Sequence, residues 1–193
     1  KNLTISFLLE YSRKDDTQSF ALIMQTSLVV MRLLGQYGVP DLAIKWPNDI
    51  MSGSKKICGL LVERALQGSQ SSPFVVGVGI NVNQHYFEAL THATSVGLKT
   101  NETHDIDGLA RKLSASVEEA MGGQLELEPQ AYVALLNRFE EVLYRKGDYC
   151  EVSVNQGDYQ SVKILGINQD GRLQVQDANQ HHFLLDSSET RFV

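Results

Sequence analysis

The chain has little of several things that would make its reading easy. Of 193 residues, two are Cys, four are Pro and one is Trp. Cys58 and Cys150 stand far apart, in no metal-ligand spacing, so they read as two reduced thiols and not as a disulfide framework. The formal net charge is −6, with no basic stripe. Nucleic-acid binding needs clustered cations against phosphate, so no such partner is expected. No apolar run of membrane-spanning length stands out, and Lys1 to Ser6 reads as a strand and not as a signal peptide. No membrane association is expected, and the cytoplasm is the expected compartment. The first residue is Lys1 and not Met, which points to a start set by truncation or cleavage. Repeats and low-complexity tracts are absent.

What is present suffices for a core. A hydrophobic share of 42% in 193 residues fits one large domain plus a small one. Leu3 to Glu10 alternates and then turns apolar, which predicts a central strand. Arg13 to Gln18 is polar, hence a loop. Ser19 is placed to cap a helix running to about Tyr37, with Leu22, Ile23, Leu28, Val29, Leu33 and Leu34 at helical spacing. Gly35 and Gly38 mark its end, and Pro40 stops it. Short strands are predicted at Leu42–Trp46, at Ile50-Met51 and Ile57–Arg64 around the turn 52–55, and at Phe74–Val82. Residues 65–72 read as a loop, and 84–104 as irregular. Helices are predicted at Ile106–Met121, ended by Gly122-Gly123, and from Pro129 to about Tyr144. From Lys146 the texture changes to short strands and turns: 149–154, 161–167, 173–176, 182–185 and one near Arg191. The expected class is α+β. A mixed or antiparallel sheet with helices occupies 1–145, and a small SH3-like barrel occupies 146–193.

Chemistry is densest in three segments. They are Lys45-Trp46-Pro47-Asn48-Asp49, Lys56-Ile57-Cys58-Gly59-Leu60-Leu61-Val62-Glu63, and Gly77-Val78-Gly79-Ile80-Asn81-Val82-Asn83. Each has a bland explanation. Pro-Asn-Asp is ordinary turn chemistry, a lone Trp is commonly core, and Lys55-Lys56 is an ordinary solvated pair. The glycines carry more information. Gly77 and Gly79 share one strand face with Asn81 and Asn83, while Val76, Val78, Ile80 and Val82 face the other way. Two glycines on one face weaken a strand. They fit either a closely packed helix or a ligand lying against the backbone. Leu61 shares a face with Gly59. Lys56 and Gly59, three apart, meet on one face only if the chain twists or bulges between them. His85, His92, His181 and His182 show no ligand spacing.

In order and spacing, the three segments resemble the catalytic domain of biotin protein ligases. The resemblance implies a two-step reaction. The carboxylate of biotin attacks the α-phosphate of ATP, giving biotinyl-5'-adenylate and pyrophosphate. A lysine amine of a biotin carboxyl carrier domain then displaces AMP. Two anions meet in the first step, so cations and Mg2+ are expected to offset their repulsion. The resemblance implies Lys56 as the catalytic cation bridging carboxylate and phosphate. It implies Lys56, Gly59, Leu61, Gly77, Gly79 and, against strand parity, Ile80 as biotin contacts. Lys45, Asn48, Asp49 and Asn81 are the implied ATP contacts. No metal site is firm, although Asp49 is placed to reach a metal-bound water. A homodimer is left open. A lipoate-type ligase and a non-catalytic biotin- or adenylate-binding homologue or fragment are the alternatives. The family's Gly-Arg-rich loop precedes the strand begun by Leu3, and some members carry a helical DNA-binding domain in front. The chain starts after both. It is therefore expected to be a fragment with an incomplete site, or a homologue without ligase activity.

Overall fold

A computed structural model describes residues 1–9, 17–64, 73–88, 91–121, 127–154 and 158–192. The expected loop over 13–16, the loop 65–72, the helix stop at Gly122-Gly123 and most of the turn at 155–157 lie outside the described residues.

Two five-stranded sheets organise the molecule. The first contains β1 (Leu3–Leu9), β2 (Leu42–Lys45), β3 (Asp49–Ser52), β4 (Lys55–Arg64) and β5 (Phe74–Ile80), in the order β1-β5-β4-β3-β2. All its strand pairs are antiparallel. The second contains β6 (Tyr149–Val154), β7 (Asp158–Ile167), β8 (Leu173–Gln176), β9 (His182–Leu185) and β10 (Thr190–Phe192), in the order β10-β6-β7-β8-β9. It is an antiparallel sheet consistent with a small barrel-like unit, although no pair closes it among the described residues. Four helices complete the fold: α1 (Thr17–Gln36), α2 (Val96–Thr100), α3 (Ile106–Met121) and α4 (Pro129–Glu141).

The class is therefore α+β, and several local expectations change. β1 is an edge strand among the described residues, not a central one. Its outward residues Thr4, Ser6 and Leu8 are exposed while Leu3 is buried, so its apolar run packs on one side only. Ser19 lies inside α1 and does not cap it. α1 ends as expected. Gly38 takes φ +81, Gly38 N–H donates to Gly35, and Val39 N–H reaches back to Leu34. α2 was hidden in the irregular stretch, being only five residues long. Its signal was Ser95, whose hydroxyl accepts from Leu98 N–H at 3.2 Å. α4 stops at Glu141, short of Tyr144. There the backbone pairs with β2 instead, through Ile44 N–H to Val142 and Tyr144 N–H to Ile44, both at 2.8 Å.

α1 separates two cores. Leu22, Val30, Leu33 and Leu34 face the first sheet and α3. Phe20, Ala21 and Met24 join Ile44, Trp46, Phe139 and the inner face of the second sheet. Over Ser19–Gln36, α1 is long and apolar enough to cross a membrane by length and composition, contrary to the expectation of no such run. More than half of that window, 56%, is buried inside the molecule, which is why the helix is apolar almost all round.

Candidate active site on the open sheet face

The first sheet has one face covered by α1 and α3 and, among the described residues, one face without a helix. Register assigns each motif residue to a face. Thr4 pairs with Gly79, Gly79 with Gly59, Gly59 with Asp49, and Asp49 with Lys45. These five residues form one row across all five strands, on the open face. Ser6, Gly77 and Leu61 form the adjacent row. The row that alternates with them, Leu3, Ile80, Cys58, Ile50 and Ile44, is buried core.

Lys56 joins the open face through a bulge. Ile50 pairs with Cys58 but Met51 pairs with Lys56, so Ile57 is an extra residue with no partner on β3. Ile57 and Cys58 are both buried, and the parity of β4 flips at that point. The bulge lies at Ile57 and not at Gly59. Its effect is to place the Lys56 ammonium above Gly59, where a built Cβ would stand 3.0 Å from Lys56 Nζ and 3.4 Å from Asp49 Oδ1. Lys56 Nζ lies 2.5 Å from Asp49 Oδ1, with the two side chains 46% and 25% exposed.

The glycines are not there to admit a helix. Among the described residues, a Cβ at Gly79 would meet only the Gly59 carbonyl, at 3.8 Å. At Gly77 the nearest atoms belong to Leu61 and Ser6, at 3.8 to 3.9 Å. Packing tolerates a side chain at either position, so the backbone is bare for another reason. Leu61 is exposed beside this strip and supplies an apolar wall.

Lys45 is half-buried at the end of the row. Its ammonium lies 4.8 Å from the Phe192 ring centroid. Burial pulls it below the usual lysine range; Asp49 opposes this, and Lys56 and Arg145 add to it. A cavity of about 330 Å³ opens here, lined by Lys45, Met51, Ser54, His92, Tyr144, Arg145 and Phe192. A larger cavity of about 440 Å³ is lined by residues of α1, α3 and α4 such as Gln25, Glu119 and Arg138, and by no motif residue.

Other expected site residues fall elsewhere. The Ile80 side chain is 1% exposed in the core, on the face away from the glycines. Asn48 holds β4: its side-chain amide donates to the Leu60 carbonyl at 2.5 Å, and its backbone carbonyl accepts from Leu60 N–H at 2.9 Å. Asn81 donates its side-chain amide to the Thr94 carbonyl at 3.0 Å. Trp46 is buried and bonds the Gly171 carbonyl at 2.8 Å across the two sheets. Thr4, Ser6, His92, Arg145 and Phe192 were missed. Each reaches the site through long-range pairing, for which sequence spacing carries no signal. No group of three His, Cys, Asp or Glu suited to a metal occurs among the described residues.

The sequence of the open-face strands matches a known family. Residues 1–81 match the Biotin/lipoate A/B protein ligase family. The likeness is to the biotin protein ligases. The bifunctional ligase/repressor BirA of Escherichia coli strain K12 is 26% identical over 125 residues, which cover 64% of this chain. The chain spans only 38% of that relative's length. The biotin protein ligase of Aquifex aeolicus superposes with a TM-score of 0.79 at 22% identity, over 100% of this chain and 82% of that one. The same ligase solved with biotin and ATP gives a TM-score of 0.72 at 20% identity, covering 100% and 78%. The biotin-ligase fold thus extends through both sheets.

Proposed function

We propose that this chain is the ligase part of an enzyme that attaches biotin to a lysine of a biotin carboxyl carrier domain, with biotinyl-5'-adenylate as the intermediate. The observation that carries the reading is Lys56, held by a bulge above the paired Gly59 and Gly79, with Gly77 in the next row, on a sheet face that no helix covers among the described residues. Biotin lies along Gly59, Gly77 and Gly79, with Leu61 against its rings. Ile80 contributes only backbone there, because its side chain is core. The ring system gains from apolar contact, and the valerate carboxylate is directed towards Lys56.

ATP enters as the second substrate. Lys56 and Lys45 face the meeting of carboxylate and α-phosphate, where negative charge must be balanced for the P–O bond to form and pyrophosphate to leave. Lys45 is half-buried and shares the Asp49 carboxylate with Lys56. An incoming polyphosphate supplies further counter-charge. Asn48 shapes the turn that presents Asp49. Asp49 would hold a Mg2+ ion through water, and the ion would offset the negative charge of the triphosphate. Attack of the carrier lysine on the acyl carbon then releases AMP. The cytoplasm is the expected setting, with biotin, ATP and the carrier domain as partners.

The lipoate-type reading shares the matched family description, so substrate choice is the test. The natural protein is incubated with ATP and a carrier domain, with biotin or lipoate. Mass spectrometry of the carrier lysine should show a biotinyl adduct only with biotin. A lipoyl adduct alone would replace the reading, and neither adduct would support a binding homologue without catalysis.

A further inference from the structure

We infer that Asn81 is a positioning residue for Lys56, acting through the segment 92–94. The inference rests on the reading of Lys56 as the catalytic cation, and it gives Asn81 a role other than nucleotide contact. The backbone of Lys56 is held from the side of 92–94. Lys56 N–H donates to the His92 carbonyl at 2.7 Å, and Thr94 N–H donates to the Lys56 carbonyl at 2.9 Å. This is a parallel bridge outside the named strands, centred on Lys56 and Ala93.

Asn81 locks that bridge from the next residue of β4. Its N–H donates to the Ile57 carbonyl at 2.9 Å, and its own carbonyl accepts from Val96 N–H at 2.9 Å. Its side-chain amide closes the ring by donating to the Thr94 carbonyl at 3.0 Å. Thr94 is 3% exposed and Ser95 is fully buried, so the segment has no water-filled alternative. The bulge needs this support. Ile57 has no partner on β3, and a bulge disrupts the ladder that would otherwise fix its neighbour. Lys56 gives both its backbone N–H and its C=O to 92–94, so when that segment is loosened its ammonium loses its set height above Gly59. An aliphatic side chain at 81 keeps the two backbone bonds and loses only the closing one.

Asn81→Ala and Asn81→Asp both remove the donor to Thr94. Amide hydrogen exchange by NMR reads the ring directly and needs no activity. The amides of Lys56 and Thr94 should exchange about tenfold faster in both variants, the effect of losing roughly one hydrogen bond. Val78 in the core of β5 should be unchanged and serves as the fold control. In biotin-dependent ATP–pyrophosphate exchange, kcat should fall about tenfold with the KM for ATP unchanged. Unchanged protection at Lys56 and Thr94 overturns the inference. So does equal acceleration at Val78, which makes Asn81 a general fold residue. A raised KM for ATP with kcat intact returns Asn81 to nucleotide contact. Absence of exchange activity in the unsubstituted protein sinks the ligase reading instead, and the hydrogen-exchange result still decides the ring.

Discussion

At the level of single residues, Lys56 offers the cleanest separation of chemistry from stability. Its ion pair with Asp49 is partly exposed, and such pairs contribute about 0–1 kcal/mol. Removing a cation from a developing anion costs about 3 kcal/mol of transition-state stabilisation. Lys56→Ala should therefore slow adenylate formation by roughly two to three orders of magnitude while the melting temperature moves by only a few degrees. A large loss of stability with little loss of rate would make the pair structural. Lys45 gives a pH test. Its lowered proton affinity in the free site should recover when a polyphosphate arrives. ATP binding at alkaline pH should then take up protons, and affinity should weaken as pH rises through the lowered value. Calorimetry in two buffers of different ionisation enthalpy measures the uptake, and Lys45→Met should abolish it. Cys58 is the opposite case. Burial pushes its thiol up, with Asp49 adding and Lys56 opposing, so it should stay inert to thiol reagents in the folded protein.

Among the elements, β4 and β5 were the most legible in sequence and the most informative. Alternation along Phe74–Ile80 assigned Gly77 and Gly79 to one face, and the structure leaves that face open. The same alternation made Lys56 and Gly59 incompatible unless a bulge intervened. The bulge exists, but at Ile57, because two consecutive apolar residues both find core there. Its exact place depends on which β3 residues they oppose, and that is a pairing property. β1 was read as central because Leu8 and Leu9 continue the apolar run, yet Leu8 is 66% exposed on the open face. α2 was too short for periodicity to register. Gly79→Val tests the open face at this scale. A Cβ at Gly79 finds ordinary contact distance, and β-branched residues favour strands. The variant should fold with native stability and fail to bind biotin in calorimetry. Native affinity would place the ligand elsewhere.

For the whole molecule, the compositional break near Arg145 suggests two units, 1–145 and 146–193, and we keep that division as a proposal. The first core lies within 1–145, but the second is shared between the two units. Phe20, Met24, Ile44 and Trp46 bury against Val152, Val162, Ile164 and Val175 of the second sheet. The turn at 168–172 is fastened by Trp46 and by the Tyr132 hydroxyl, which donates to the Gln169 carbonyl at 2.7 Å. The single Trp, whose ordinary reading from sequence is core, is buried and acts as a bolt between the sheets. Each large apolar side chain uncovered forfeits about 1.5–3 kcal/mol, against a total stability of about 5–15 kcal/mol. Removing 146–193 should therefore abolish cooperative unfolding of the remainder in calorimetry. Trp46→Phe should lower the melting temperature by several degrees, because a buried carbonyl losing its partner costs about 1–3 kcal/mol. A 1–145 fragment that melts cooperatively near the native temperature would show that the shared core is dispensable.

The central claim is that biotin and ATP meet on the open sheet face under Lys56. Biotin-dependent ATP–pyrophosphate exchange in the natural protein tests it most directly, because that reaction needs only the first chemical step and no carrier. The account predicts exchange that requires biotin, is not supported by lipoate, and falls by roughly two to three orders of magnitude in Lys56→Ala. Biotin-dependent exchange that survives in Lys56→Ala at the native rate would contradict it.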